Sequence, residues 1–328
     1  MIRNQARFAS VAVLALLSCP LFEAAAQQQV PAAPAEQPAA QAPAAPVFPK
    51  PDPKNFTASS PSKEVIDSFL QASWGFDPNR VWQTQAILKT QVDGLSKVII
   101  YVGDKTGKQK PMPFLFFVLP DGKHIIAGDD VYPFGEHPYT AARALLQQGA
   151  TGPYRGSATK DLELVEFADF QCPHCKDAQA NMDKLVTDFP KAHIVFQNYP
   201  LERIHPSSKT AASYAVCVAK QGGSSAFFQF ADAVFGNQDG LATPDGTTMT
   251  LNSAVTKAGL DPTKISACAA TPATDQEVEA SVKLAQDLNI NQTPTLMVNG
   301  RQVPIGGVPY DTIKEIVLYQ EKLDGIAQ

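Results

Sequence analysis

Two cysteines with two residues between them, Cys172-Pro173-His174-Cys175, stand where an apolar run gives way to a helical pattern. A strand ending in Cys-x-x-Cys at a helix N-terminus is the sequence pattern of a redox-active dithiol. Residues i and i+3 share a helix face, so the two sulfurs can bond and separate with little backbone movement. Cys172 falls in the first helical turn, where free N–H groups and the helix dipole favour a thiolate. That position predicts a pKa well below the value of about 8.5 for a free thiol. The thiolate is both the attacking species in exchange and the better leaving group. Cys175, one turn in, is expected to be more buried, to keep a higher pKa and to act as the resolving thiol. Pro173 suits a helix start because its missing N–H would be unpaired there. His174 adds a ring whose protonated form would further favour the Cys172 thiolate.

The competing reading of a Cys-x-x-Cys is a zinc site, which needs about four ligands, typically from two paired motifs. The sequence has no second Cys-x-x-Cys and no His-x-x-x-His, so neither a metal nor any other cofactor is expected. Glu166 lies on the preceding strand, where period-2 alternation puts it on the face of Leu162 and Leu164. A carboxyl on that apolar face would be partly buried, with a raised pKa, and placed to shuttle the proton of Cys175. The plainer alternative is a strand-end carboxylate that reaches water. Thr293-Pro294-Thr295 opens a late strand, and proline inside a strand is unusual unless it is cis or at an edge. A cis Pro294 would leave neighbouring backbone groups free to pair with an extended substrate segment. Cys217 and Cys268 fall on patterns of helical type. Each reads either as a small buried hydrophobe or as half of a structural disulfide.

These residues need elements to position them. Apolar spacing behind Ser62 predicts a helix, followed by strands near 81–88, 98–102, 114–119 and 124–127 and a helix over 140–148. This is a small α+β unit spanning 62–149. Residues 150–159, rich in Gly, Ser and Thr, read as a hinge. From 160 to 328 the pattern is α/β: a strand over 162–167, the Cys-x-x-Cys helix over 172–188 and a strand over 193–199 form a βαβ unit. A helical insertion over about 202–290 follows, then strands at 295–298 and near Val303 joined by Asn299-Gly300, and a last helix near 310–319.

The N-terminus reads as an export signal over 1–26. Arg3 and Arg7 precede an apolar run from Val11 to Leu17, and Ala24-Ala25-Ala26 offers a cleavage site. Leu16-Leu17-Ser18-Cys19 also fits a lipoprotein signal, with Cys19 as the lipidated residue. Either route leads out of the cytoplasm. Residues 27–61 are mostly Ala, Pro and Gln and read as a disordered linker. The 328 residues are 44% hydrophobic and 18% charged, with a net charge of -5, which fits a globular chain and gives no sign of a nucleic-acid partner.

The stretch Val165-Glu166-Phe167-Ala168-Asp169-Phe170-Gln171-Cys172-Pro173-His174-Cys175 resembles the active-site strand and helix of the DsbA-like thioredoxin-fold family. Thr293-Pro294-Thr295-Leu296-Met297-Val298-Asn299-Gly300 resembles that family's cis-proline strand and hairpin. The resemblance covers about 160–320. It implies a thioredoxin-like fold and thiol–disulfide exchange, with Cys172 as nucleophile, Cys175 resolving, Glu166 as buried acid and Pro294 cis at the substrate. Some members carry a second cysteine pair in the insertion, matching Cys217 and Cys268. Asp121 to Gly128, with Asp93 to Val98 upstream, resembles the dimerisation domain of DsbC/DsbG-type isomerases, a small α+β (cystatin-like) unit. Pro173-His174 is typical of the oxidase DsbA, whereas Thr293 before the proline is typical of the isomerases. The implied roles are a dimeric isomerase or reductase in the periplasm, or a disulfide-donating oxidase; a non-catalytic chaperone is the reading of another class. The implied partners are unfolded or misoxidised exported proteins, a second copy of the chain, and a membrane redox protein of DsbB-like or DsbD-like type.

Overall fold

Ser62 caps the first helix, α1 (Lys63–Trp74), by accepting a hydrogen bond from the Val65 N–H. Its buried stripe of Ile66, Phe69 and Leu70 lies on one face of an antiparallel sheet. The strands are β1 (Arg80–Lys89), β2 (Ser96–Asp104), β3 (Met112–Val118), β4 (His124–Ala127) and β5 (Asp130–Pro133), paired in chain order. Val98, Ile100, Phe116 and Val118 alternate toward the helix and close this core. The computed structural model describes residues 47–108 and 110–326. The expected export signal, Cys19 and linker residues 27–46 therefore lie outside the described residues.

Two expectations about the first part of the chain are corrected. Order does not begin at Ser62. The Thr57 and Ala58 N–H groups both donate to the Ile87 carbonyl (2.9 and 3.0 Å), and the Gln85 amide donates to the Pro49 carbonyl (2.9 Å). Strand β1 is a sheet edge with unpaired backbone groups, and residues 47–61 satisfy some of them despite a composition that reads as a linker. The sequence pattern also places no strand at 130–133, yet β5 pairs with β4 there, its four side chains all exposed.

After α2 (Thr140–Gly149) comes a second sheet. Its strands are β6 (Tyr154–Gly156), β7 (Glu163–Ala168), β8 (His193–Asn198), β9 (Thr295–Val298) and β10 (Arg301–Pro304), in the order β10-β9-β7-β8-β6. Only β7 and β8 run parallel, joined by the crossover helix α3 (Pro173–Asp188). This is a thioredoxin-like α/β sheet. Four helices, α4 (Ser208–Gly236), α5 (Pro244–Lys257), α6 (Pro262–Ala269) and α7 (Pro272–Asp287), lie between β8 and β9, and α8 (Tyr310–Leu323) ends the fold. Helices α5, α6 and α7 start alike: Thr243, Asp261 and Thr271 accept a backbone N–H, and a proline follows at the first position. Helix α4 bends at Gly223, whose φ of 70° lies in the left-handed region.

The segment 150–159 is not a free hinge. Strand β6 pairs with β8, the Gly152 N–H donates to the Gln197 side chain (3.0 Å) and the Phe196 N–H to the Pro153 carbonyl (2.9 Å). A side chain at Gly156 would come within 2.2 Å of the Ala192 carbonyl oxygen, so this approach requires glycine. A buried arginine adds a second tie. The Arg301 guanidinium donates to the Ala72 carbonyl and to the Ser73 carbonyl (2.9 Å) at the end of α1, and lies 4.7 Å from the Tyr139 ring. The end of α1 is thus docked on the β9–β10 hairpin through Arg301 and on α8 through the Gln71 amide, which donates to the Tyr319 hydroxyl (2.8 Å).

Candidate active site

Strand β7 is buried along its whole length and delivers the chain to the N-terminus of α3 at Cys172. Cys172 is the N-cap itself, in extended conformation, with Pro173 in the first turn. The Cys175 and Lys176 N–H groups close onto the Cys172 carbonyl (3.1 and 3.3 Å), which places Cys175 one turn in and fully buried. Both cysteines are free thiols. The Cys172 sulfur also lies 3.6 Å from the Thr293 carbonyl oxygen, so β7, α3 and the start of β9 meet at this atom.

The two thiols are unlike. A hydrogen bond from the Cys175 thiol, opposed by partial burial and aided by Thr293 and by the backbone N–H groups of Cys175 and His174, lowers the Cys172 pKa to about 5. Burial, then the hydrogen bond and charge of Cys172, push the Cys175 thiol far up. The His174 side chain is exposed, and the backbone N–H of His174, fixed by the helix start, favours the thiolate.

Glu166 lies buried on β7, between Phe196 of β8 and Leu296 of β9 in register. Burial raises its carboxyl to about 7, against a lowering hydrogen bond from Gln179 and the nearby charge of Arg155. Glu166 is close enough to Cys175 for its charge to add to the upward push on that thiol. Pro294 follows a cis peptide bond. A Cβ added at Gly306 would lie 3.6 Å from the Pro294 ring and 3.8 Å from the His174 Cβ, so these three residues meet at one surface beside Cys172.

Sequence reasoning missed the groups that hold this arrangement. Asp169 is buried. Its carboxylate accepts the Gln171 N–H (2.7 Å) and the Leu201 N–H (2.8 Å) and pairs with His205 Nδ1 (2.8 Å), while its own N–H points at the Cys175 sulfur (3.4 Å). Gln238, from the helical insertion, donates to the Phe170 and Cys172 carbonyls (both 2.9 Å). An aspartate just before the motif is a readable turn signal. Nothing local marks Gln238, which arrives 66 residues later in the chain. Cys217 and Cys268 are joined in a disulfide between α4 and α6, with Cα atoms 6.0 Å apart and the Thr274 hydroxyl 3.4 and 3.7 Å from the two sulfurs. Among the described residues no group of three or more His, Cys, Asp or Glu side chains is placed to hold a metal ion.

A family profile described as thioredoxin matches residues 148–317, just over half of the sequence. The chain belongs to the thioredoxin family. The chain also matches curated proteins: 30% identity over 148 residues with a Na(+)/H(+) antiporter NhaA 3 of Salinispora tropica, and 33% over 158 residues with an NhaA 1 of a Mycobacterium species. These matches cover 45% of this chain but 22% and 23% of the antiporters, so the chain spans under a quarter of the length of those relatives. Among the described residues no helix is long and apolar enough to cross a membrane. Among solved structures, a thioredoxin-like oxidoreductase from Silicibacter pomeroyi is 27% identical, with a TM-score of 0.47, covering 55% of this chain and 98% of that one. The catalytic domain of Proteus mirabilis ScsC is 22% identical at a TM-score of 0.47, covering 56% and 98%. The thiol-disulfide exchange protein alpha-DsbA2 of Wolbachia pipientis is 21% identical at 0.46, covering 57% and 96%.

Proposed function

We propose that this thioredoxin-family chain is a thiol–disulfide oxidoreductase that acts on folding exported proteins through Cys172 and Cys175. The observation that carries the reading is the asymmetry of the two free thiols, one acidic at a helix N-terminus and one buried with its pKa raised. The Cys172 thiolate attacks one sulfur of a client disulfide, the other client sulfur leaves as a thiolate, and a mixed disulfide forms. Cys175 then gives up its proton and attacks Cys172, releasing the second client thiolate and leaving the Cys172–Cys175 disulfide. The client is reduced by two electrons and the dithiol is oxidised; the reverse sequence donates a disulfide. Glu166, near neutrality in its titration, is suited to hold the Cys175 proton. The edge of β9 at Thr293 and Pro294 is suited to take an extended client segment. No cofactor enters this chemistry.

A thiolate stabilised to about pH 5 favours the dithiol form and makes the disulfide form a good donor. The direction this favours is oxidation of clients, with a membrane oxidase of DsbB-like type to restore the disulfide. Equilibration with glutathione redox buffers tests it: a potential on the oxidising side of about −200 mV is expected, and one near the −270 mV typical of thioredoxin would reverse the assignment. The Cys217–Cys268 disulfide supports an oxidising, extracytoplasmic compartment, in line with the export-like N-terminus.

The second reading, a homodimeric isomerase served by a DsbD-like reductant, has one observation in its favour. Strand β5 is a wholly exposed sheet edge, and Leu115, Ile126 and Val131 are exposed nearby. Light scattering of the protein without residues 1–26 decides its premise: a dimer that dissociates when Val131 is changed to Lys supports it, and a monomer removes it.

A further inference from the structure

One amide nitrogen reaches both halves of the proton-transfer pair. Gln179 lies on α3, one turn beyond Cys175, and its Nε2 donates to Glu166 Oε1 (2.9 Å) and to the Cys175 carbonyl oxygen (3.1 Å). Both partners are acceptors, so the amide cannot be turned round without setting its oxygen against two others, and its orientation is fixed by chemistry. Two hydrogens on one nitrogen therefore link the buried carboxyl to the helix turn that carries the resolving thiol.

We propose that Gln179 is a positioning residue that pins Glu166 Oε1 as an acceptor, so that Oε2 is the oxygen that takes and returns the Cys175 proton. This rests on the exchange reading above and assigns the atom through which its second step passes. A carboxyl with one oxygen already accepting a hydrogen bond protonates at the other. In that step the Cys175 S–H bond breaks and an O–H bond forms at Oε2. The sulfur electron pair then forms the bond to Cys172, and the client thiolate leaves with the electrons of the mixed disulfide. Donation from Gln179 also favours the ionised carboxylate, in the sense opposite to burial.

The groups that act on Glu166 are few. Helix α3 presents Cys175 and Asp183, and β6 presents Arg155, which is paired with Asp183 (2.7 Å). Asp232 of α4 feels that same pair. The register neighbours Phe196 and Leu296 are apolar. Removing the Gln179 donors thus takes away the hydrogen bond to Glu166 without changing the formal charge around it.

The test is a titration of the Glu166 side-chain carboxyl by carbon-13 NMR in the oxidised full chain, which needs no turnover. The resonance is assigned from its loss in Glu166→Gln. Gln179→Met keeps the length and removes both donors. It is expected to raise the midpoint from near 7 by about one unit. It should also slow resolution of a mixed disulfide preformed on Cys172 by about fivefold at pH 7, that being the loss of ionised carboxyl for a one-unit shift. Gln179→Lys restores a donor and is expected to titrate at or below the wild-type midpoint. A Met variant with the wild-type midpoint overturns the proposal, as does a Lys variant raised as far as Met; should Gln179→Met fail to fold, the Lys variant alone decides. If the wild type resolves no mixed disulfide at any pH, it is the exchange reading that fails, and the carboxyl titration still decides whether Gln179 holds Glu166 as described.

Discussion

Cys172 and Cys217 contribute to the same hydrophobic cluster, at 5% and 0% exposure, yet they have opposite chemistry. Cys217 lies within α4, where the backbone N–H groups are already used by the helix, and its sulfur has a disulfide partner and one threonine hydroxyl. Cys172 lies at the start of α3, where the backbone N–H groups of His174 and Cys175 face the sulfur and the Cys175 thiol and Thr293 crowd it. Burial does not separate the bridged cysteine from the free one here. Position along a helix does, because the first turn supplies donors that the interior has already committed.

The largest effect expected from this contrast is on exchange. Cys172→Ala should reduce reduction of a disulfide substrate to background, while the double variant Cys217→Ala/Cys268→Ala should retain the wild-type rate in an insulin-reduction assay. The second effect reverses the roles. Losing the Cys217–Cys268 bond, which closes a separation of 51 residues, should lower unfolding free energy by up to about 4 kcal/mol in the chain-entropy picture. Urea unfolding of the oxidised protein measures it, and an unchanged midpoint would make that disulfide structurally idle.

The third effect is a pH dependence that only the 172/175 pair can produce. The Cys172 pKa is depressed in the folded dithiol form, so its stabilisation is complete above the unfolded value of about 8.5 and is lost as pH falls through about 5. Cys175, pushed up, acts in the opposite sense only above about 8.5. Between about pH 5 and 8 the stability of the reduced relative to the oxidised form should therefore rise with pH. Paired urea titrations at about pH 5, 6.5 and 8 check this, and a gap independent of pH would contradict it. The smallest effect concerns support of the motif. Gln238→Leu removes two hydrogen bonds to the Phe170 and Cys172 carbonyls. It should cost about 1–2 kcal/mol, and shift the thiolate absorbance midpoint by less than a unit.

The same contrast explains how much is legible in the sequence. The Cys-x-x-Cys motif, its strand and its helix are local, so spacing alone brings Cys172, Cys175 and Glu166 together. Gln238 and Thr293 reach the same site from 66 and 121 residues away, and of these only Thr293 carries a signal, through the proline that follows it. Strand β6 resembles a hinge in sequence because Gly152, Pro153 and Gly156 are loop-type residues, yet Gly156 is there so that two backbones can approach. Arg301, a charged residue after a hairpin turn, carries no sign of burial. Its guanidinium is held by carbonyls far from it in sequence, at the docked end of α1, and by the Gln320 side chain of α8.

The most direct measurement is a trap. In Cys175→Ser the second step is blocked, so a peptide carrying a disulfide should remain attached after the first attack. Mass spectrometry is expected to find one peptide chain bound at Cys172, with the Cys217–Cys268 peptides still linked to each other. No adduct, or an adduct at Cys217 or Cys268, would contradict the account.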